Sequence, residues 1–169
     1  MSKVVMIIAP DGFRDEEYFE PKAVFEAGEI QVVTASKQKG PCYGKLGRVA
    51  MADIVISEIE PEEYDAVVFV GGPGMAKLIN DPEMMGVAKV FSKMGKIIGA
   101  ICVAPSILAN AGLLKNKKAT AFSSEEGYLM QKGAMYTGKP VEAAGKIITA
   151  NGPAAAREFG KAIVKALKG

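Results

Sequence analysis

The sequence predicts an α/β fold. Residues 1–169 read as one domain, a single three-layer α/β/α sandwich around a mostly parallel central sheet, carrying a strand–cysteine–helix nucleophile elbow. Three observations support this. Short continuous apolar runs at 4–9, 66–70 and 97–101 have the length and β-branched content of strands covered on both faces. Segments with helix start and stop signals separate these runs, and strands alternating with helices return as parallel neighbours. At Ile101-Cys102-Val103-Ala104 a cysteine sits on the turn between a buried strand and a helix. A residue on such a turn is lifted at the carboxyl edge of the sheet, beside the free N–H groups of the next helix.

Taken in order, residues 4–9 are the first strand and Pro10-Asp11-Gly12 punctuates it as a loop. Asp15-Glu16-Glu17 opens a helix, with Pro21 near its first turn and Gly28 closing it. Residues 30–35 form a second strand. Residues 37–47 read as a polar, glycine-bearing connection holding Cys42, 48–56 as weakly strand-like, and 58–63 as a charged loop. The strand at 66–70 ends in Gly71-Gly72-Pro73-Gly74, a turn where backbone can approach a neighbour closely. Asp81-Pro82 supplies an N-cap and a proline at N1 for a helix stopped by Gly95. After the strand at 97–101, residues 104–111 form a short helix with Gly112 at C′. Residues 119–122 read as a strand, and Ser123 or Ser124 caps a helix running through Lys132 to Gly133. Residues 147–150 are the last strand. Pro153 begins a final helix in which Phe159, Ile163 and Leu167 share one face.

Composition narrows the chemistry. No apolar run approaches the ~20 residues that span a bilayer, and the N-terminal run leads straight into Asp11 and Arg14 as a strand does. No membrane association is expected. Two cysteines make no disulfide framework, so a reducing, cytoplasmic setting is expected. A net charge of +2 gives no steering toward nucleic acid. Histidine is absent, which excludes Ser-His-Asp and Cys-His arrangements and HExxH metal sites. Acid–base work falls to Glu, Asp, Lys, Tyr or Cys. The diglycine turn lacks G-x-G-x-x-G spacing, since Lys77 stands where the third glycine belongs. Residues 40–45 fail as a Walker A loop, with Leu46 where Ser or Thr would hold magnesium. Neither a cofactor nor a metal is expected.

Free cysteine is also a common core residue, and Cys102 admits that reading, while Cys42 in its glycine-bearing loop reads as incidental, an exposed thiol there being able to crosslink subunits. The wider pattern favours more for Cys102. Ala100-Ile101-Cys102-Val103-Ala104-Pro105, then Leu108 and Ala111-Gly112-Leu113-Leu114, combine with Gly71-Gly72 after its strand and with Glu17 four residues before Pro21. In this combination, nearly end to end, the chain resembles the DJ-1/PfpI superfamily, flavodoxin-like relatives of the class I glutamine amidotransferases. The resemblance implies that Cys102 is the reactive cysteine and Glu17 the buried glutamate whose protonated carboxyl bonds that sulfur. It further implies that the amides of Gly72 and Val103 face an oxyanion, and that the chain forms a homodimer or larger homo-oligomer.

The departures from the family pattern bear on function. Val103 stands where peptidase-type members have histidine after the cysteine, Ala76 is the nearest match to their glutamate, and Phe122 lies where another branch has histidine. Proteolysis is therefore disfavoured. The leading expectation is thiol-dependent chemistry on a small reactive carbonyl, with Glu17 moving the proton. The alternative partner is an oxidant, with Cys102 a sensor held as a sulfinate and no turnover. A third possibility is a ligand-binding relic of the fold.

Overall fold

The computed structural model describes residues 1–169. In chain order the elements are β1 (Lys3–Ile7), β2 (Asp11–Phe13), α1 (Asp15–Ala27), β3 (Gln31–Ser36), β4 (Gly40–Gly44), β5 (Val49–Ala52) and β6 (Ile54–Val55). There follow β7 (Ala66–Phe69), α2 (Pro73–Ala76), α3 (Pro82–Lys93), β8 (Ile97–Ile101), α4 (Pro105–Asn110) and β9 (Lys118–Ala119). The chain closes with α5 (Glu126–Gln131), β10 (Met135–Tyr136), β11 (Val141–Ala144), β12 (Ile147–Ala150) and α6 (Ala156–Lys168). A seven-stranded sheet runs β11-β12-β8-β7-β1-β3-β6, parallel throughout except for the β11 edge.

Strand periodicity divides the core. Val4, Met6 and Ile8 point to one face and pack with Tyr18 and Phe25 of α1 and Phe159 and Ile163 of α6. Val5 and Ile7 point to the other, with Met84 and Phe91 of α3, Ile107 and Leu108 of α4 and Leu129 of α5. The three-layer sandwich is the architecture observed. Gly99 in β8 lets α6 close on the sheet, since a Cβ there would lie 2.8 Å from Ile163 Cδ1. The predicted caps at Asp81, which accepts from Glu83 N and Met84 N, and at Gly112 (φ 76°) are both present.

Several elements differ from the sequence reading. Asp11–Phe13 is a short strand, not a loop, and joins β4 and β5 in a separate three-stranded sheet. The polar connection at 37–47 therefore contains β4, and Cys42 on its inner face is fully buried. The strand-like stretch at 48–56 is broken at Asp53, whose carboxylate accepts from Thr34 N at 2.9 Å, and its two halves belong to different sheets. Pro21 lies inside α1 rather than in its first turn, so the Glu17 carbonyl receives no bond from position 21. Residues 73–76 form a helical turn, and the strand at 119–122 reduces to Lys118–Ala119 beside β10. No serine side chain caps α5; Ser123–Glu125 is a 3-10 turn leading into it. Another 3-10 turn, Pro153–Ala155, precedes α6. The charged stretch after β6 winds into two such turns, Ile56–Glu58 and Pro61–Glu63.

Candidate active site at the elbow

The strand order changes direction at β1: β3 lies on one side and β7, β8 and β12 on the other. Open parallel sheets leave a crevice at the carboxyl ends of strands around such a switch. Three connections converge there. The chain after β1 runs through β2 into α1 and carries Glu17. The chain after β7 is Gly71-Gly72, and the chain after β8 is Cys102.

Cys102 takes φ 66°, the left-handed region that side chains other than glycine rarely adopt. Hydrogen bonds on both sides hold it there: Cys102 N donates to Ala150 O at 2.9 Å, and Phe122 N donates to Cys102 O at 2.8 Å. The residue is 8% exposed, so the sulfur is sheltered but not sealed. The amides of Val103 and Gly72 both donate toward it, which favours the thiolate. Thus the structure brings together all four residues singled out in the sequence: Cys102, Glu17, Gly72 and Val103.

Glu17 is fully buried, and neither carboxyl oxygen has a hydrogen-bond partner of regular geometry. The groups nearest to bonding it are the Cys102 thiol and the Gly71 amide. Burial pushes its pKa up to about 7, against the pull of these contacts and of the Arg14 charge. Burial, together with the charge and hydrogen bond of Glu17, pushes the Cys102 thiol up to about 12, while the two amides act in the opposite direction. The two groups titrate as one pair. Burial and the Glu17 charge keep the thiol protonated long after the carboxyl, near 7, has begun to ionise.

Gly71 and Gly72 let this pair form. A Cβ on Gly71 would lie 2.5 Å from Glu17 Oε1 and 2.6 Å from Cys102 Cβ. Gly72 has φ 114°, and a Cβ there would lie 2.4 Å from Arg14 N. Arg14 N donates to Gly71 O at 3.0 Å, tying the start of α1 to the diglycine.

Two residues of this site were missed in the sequence. Asp15, 3% exposed, accepts from Leu46 N at 2.8 Å and Arg48 N at 3.0 Å and so fastens the β4–β5 turn to α1. Arg14 pairs with Glu16 through Nε and Nη2, both at 3.0 Å. A cation directly before a helix N-terminus opposes the macrodipole, and that anomaly was the available signal. Cys42 does not lie in an exposed loop from which its thiol could crosslink subunits. It is instead fully buried, 3.8 Å from Gly40 O. No group of three or more His, Cys, Asp or Glu is arranged to hold a metal ion. No helix is long and apolar enough to cross a membrane.

Comparison with known proteins gives a consistent set of relatives. A sequence model of the DJ-1/PfpI family matches residues 2–166. The uncharacterized protein MJ0967 of Methanocaldococcus jannaschii is 41% identical over 170 aligned residues, covering 99% of this chain and 83% of that protein. Deglycase TK1284 of Thermococcus kodakarensis is 29% identical, covering 97% of this chain and 99% of that protein. The crystal structure of a ThiJ/PfpI domain protein from Brachyspira murdochii superposes with a TM-score of 0.96 at 36% identity, over 98% of this chain and 96% of that one.

Proposed function

The chain belongs to the DJ-1/PfpI family, and on that premise we propose that it performs thiol-dependent chemistry on small reactive carbonyls through Cys102. The observation that carries this reading is the left-handed elbow that sets Cys102 beside a buried Glu17 and under the Gly72 and Val103 amides. The name of the Thermococcus relative, a deglycase, is in keeping with it. With a 2-oxoaldehyde, the sulfur lone pair forms the S–C bond and the carbonyl π pair moves onto oxygen. The thiol proton passes to the Glu17 carboxylate as that bond forms, the two amides face the developing oxyanion, and Glu17 returns the proton to it, yielding a hemithioacetal. Near neutral pH the carboxyl begins to ionise while the thiol keeps its proton, so a Glu17 carboxylate is available beside the thiol as its base. Methylglyoxal turnover tests this: loss in Cys102→Ser is expected, and turnover equal to wild type in that variant would exclude the reading.

A second reading is carried by the orphaned Glu17 carboxyl in a chain without histidine. An oxidised sulfur, as sulfinate, would accept from the same two amides and from a protonated Glu17, and would need no general base. Graded peroxide followed by peptide mass should then add two oxygens to Cys102, an addition lost in Glu17→Leu. Peptidase chemistry is disfavoured because Val103 and Phe122 supply no base. A cytoplasmic location and a homodimeric or larger assembly belong to the same proposal. Two free cysteines are consistent with the former. Exposed Tyr43, Val49 and Met51 on the outer face of β4 and β5 offer apolar surface for the latter, which light scattering checks.

A further inference from the structure

Arg14 occupies the rim of this site with most of its binding capacity unused. Its backbone is locked against the diglycine, through Arg14 N to Gly71 O at 3.0 Å and through the close approach of Gly72. Its own carbonyl accepts Glu17 N at 3.1 Å. Its side chain is about a quarter exposed (27%) and fixed by the two bonds to Glu16. A guanidinium has five N–H donors, so Nη1 and one Nη2 hydrogen remain for a ligand in a fork already oriented. Lys45 also acts on the Glu16 carboxylate, so Arg14 is not its sole counter-charge. The charge of Arg14 is felt at both Glu17 and Cys102.

We propose that Arg14 is a specificity residue that binds the carboxylate of an anionic carbonyl substrate, one whose electrophilic carbon is bonded to the carboxylate carbon as in a 2-oxo acid. The inference rests on the reading of Cys102 as a nucleophile and adds the substrate class. Without Arg14, an anion approaching this site would meet the negative charges of Glu16 and of the Glu17–Cys102 pair with one cation fewer to offset them. Glu16 orients the guanidinium and tempers its charge, so the two side chains have opposite expected effects.

Iodoacetate and iodoacetamide form a matched pair of probes. Each is attacked by the Cys102 sulfur at carbon, forming S–C and expelling iodide, and only iodoacetate carries a carboxylate next to that carbon. The quantity read, peptide by peptide, is the ratio of the two Cys102 alkylation rates, divided by the same ratio for a small free thiol. The wild-type protein should exceed the free thiol by on the order of tenfold at low salt, with the excess shrinking as salt is added. Arg14→Gln should return the ratio to the free-thiol value, Arg14→Lys should retain part of it, and Glu16→Gln should raise it. A wild-type ratio no greater than that of the free thiol, or one unmoved by Arg14→Gln, overturns the proposal. If Arg14→Gln fails to fold by circular dichroism, the direction of the Glu16→Gln change decides. Absence of alkylation by either probe removes the nucleophile itself, and the specificity proposal falls with it. Absence of methylglyoxal turnover leaves the ratio fully readable.

Discussion

Glu17 and Cys102 face each other across the bare backbone of Gly71, where a single added carbon would sit 2.5 Å from Glu17 Oε1 and 2.6 Å from Cys102 Cβ. The carboxyl and the thiol come from elements 85 positions apart in the chain and meet only because the residue between them has no side chain. Burial raises both pKa values, while the contact between them pulls that of Glu17 down and pushes that of Cys102 further up.

Gly71→Ala tests the contact directly. The new methyl meets the Ile101 carbonyl at 2.6 Å as well as both reactive side chains, so backbone must move and not only a flexible side chain. The expected result is a loss of about 1–3 kcal/mol in urea-unfolding free energy. A drop in Cys102 alkylation rate should accompany it, and unchanged stability with unchanged alkylation would show that the diglycine is dispensable.

Stability should also depend on pH through Glu17. Its pKa is raised from 4.5 to about 7, so between those values the folded chain retains a proton that the unfolded chain has released. Unfolding free energy therefore falls as pH rises across that window, and the Glu17 contribution present below 4.5 is gone above about 7. For a fully buried group the change is on the order of 3 kcal/mol. Glu17→Gln has no proton to lose, so urea midpoints of the variant should gain on wild type from pH 4.5 to 7.5. Parallel midpoints across that range would place Glu17 in a solvated setting.

Central strands were legible in the sequence because burial on both faces leaves continuous apolar runs, as at Ile97–Ile101. The small sheet was not. Its strands contain Gly40, Pro41 and Gly44 and bury only alternate residues such as Cys42 and Ala50, so short range shows a turn-rich loop. Likewise β11 reads Val-Glu-Ala-Ala at a sheet edge and gives no apolar run. Cys102 could be placed from local signals, because a strand, a turn and a helix-closing glycine bracket it. Glu17 could not, since nothing local separates it from Glu16. The helix turns one carboxyl under the diglycine and the other outward to Arg14, and only the family resemblance marked which.

Asp15 should matter for stability although it lies outside the reacting groups. Asp15→Ala leaves the Leu46 and Arg48 amides without their acceptor and loosens the second sheet from α1. Losing both bonds should cost about 2 kcal/mol in urea unfolding. Asp15→Asn, which retains one acceptor oxygen, should recover part of that. A change below ~0.5 kcal/mol for the alanine variant, the range of ordinary surface substitutions, would show that β4 and β5 hold themselves in place.

The pH dependence of Cys102 alkylation decides where the negative charge resides, and the sign of one shift carries the answer. If the first proton lost, near 7, leaves part of the negative charge on sulfur, wild-type alkylation begins near that pH. Glu17→Gln then has only the thiol to ionise, burial still disfavours the thiolate, and onset moves upward. If the charge sits wholly on Glu17, wild type stays unreactive until far more alkaline pH, and removing that charge in Glu17→Gln moves onset downward. Cys42 serves as the control in the same digest. It is fully buried and its thiol is pushed up by burial, so it should react only when the chain unfolds. A downward shift is the expected result, because the charge and hydrogen bond of Glu17 help push the Cys102 thiol up to about 12, and Glu17→Gln removes that charge.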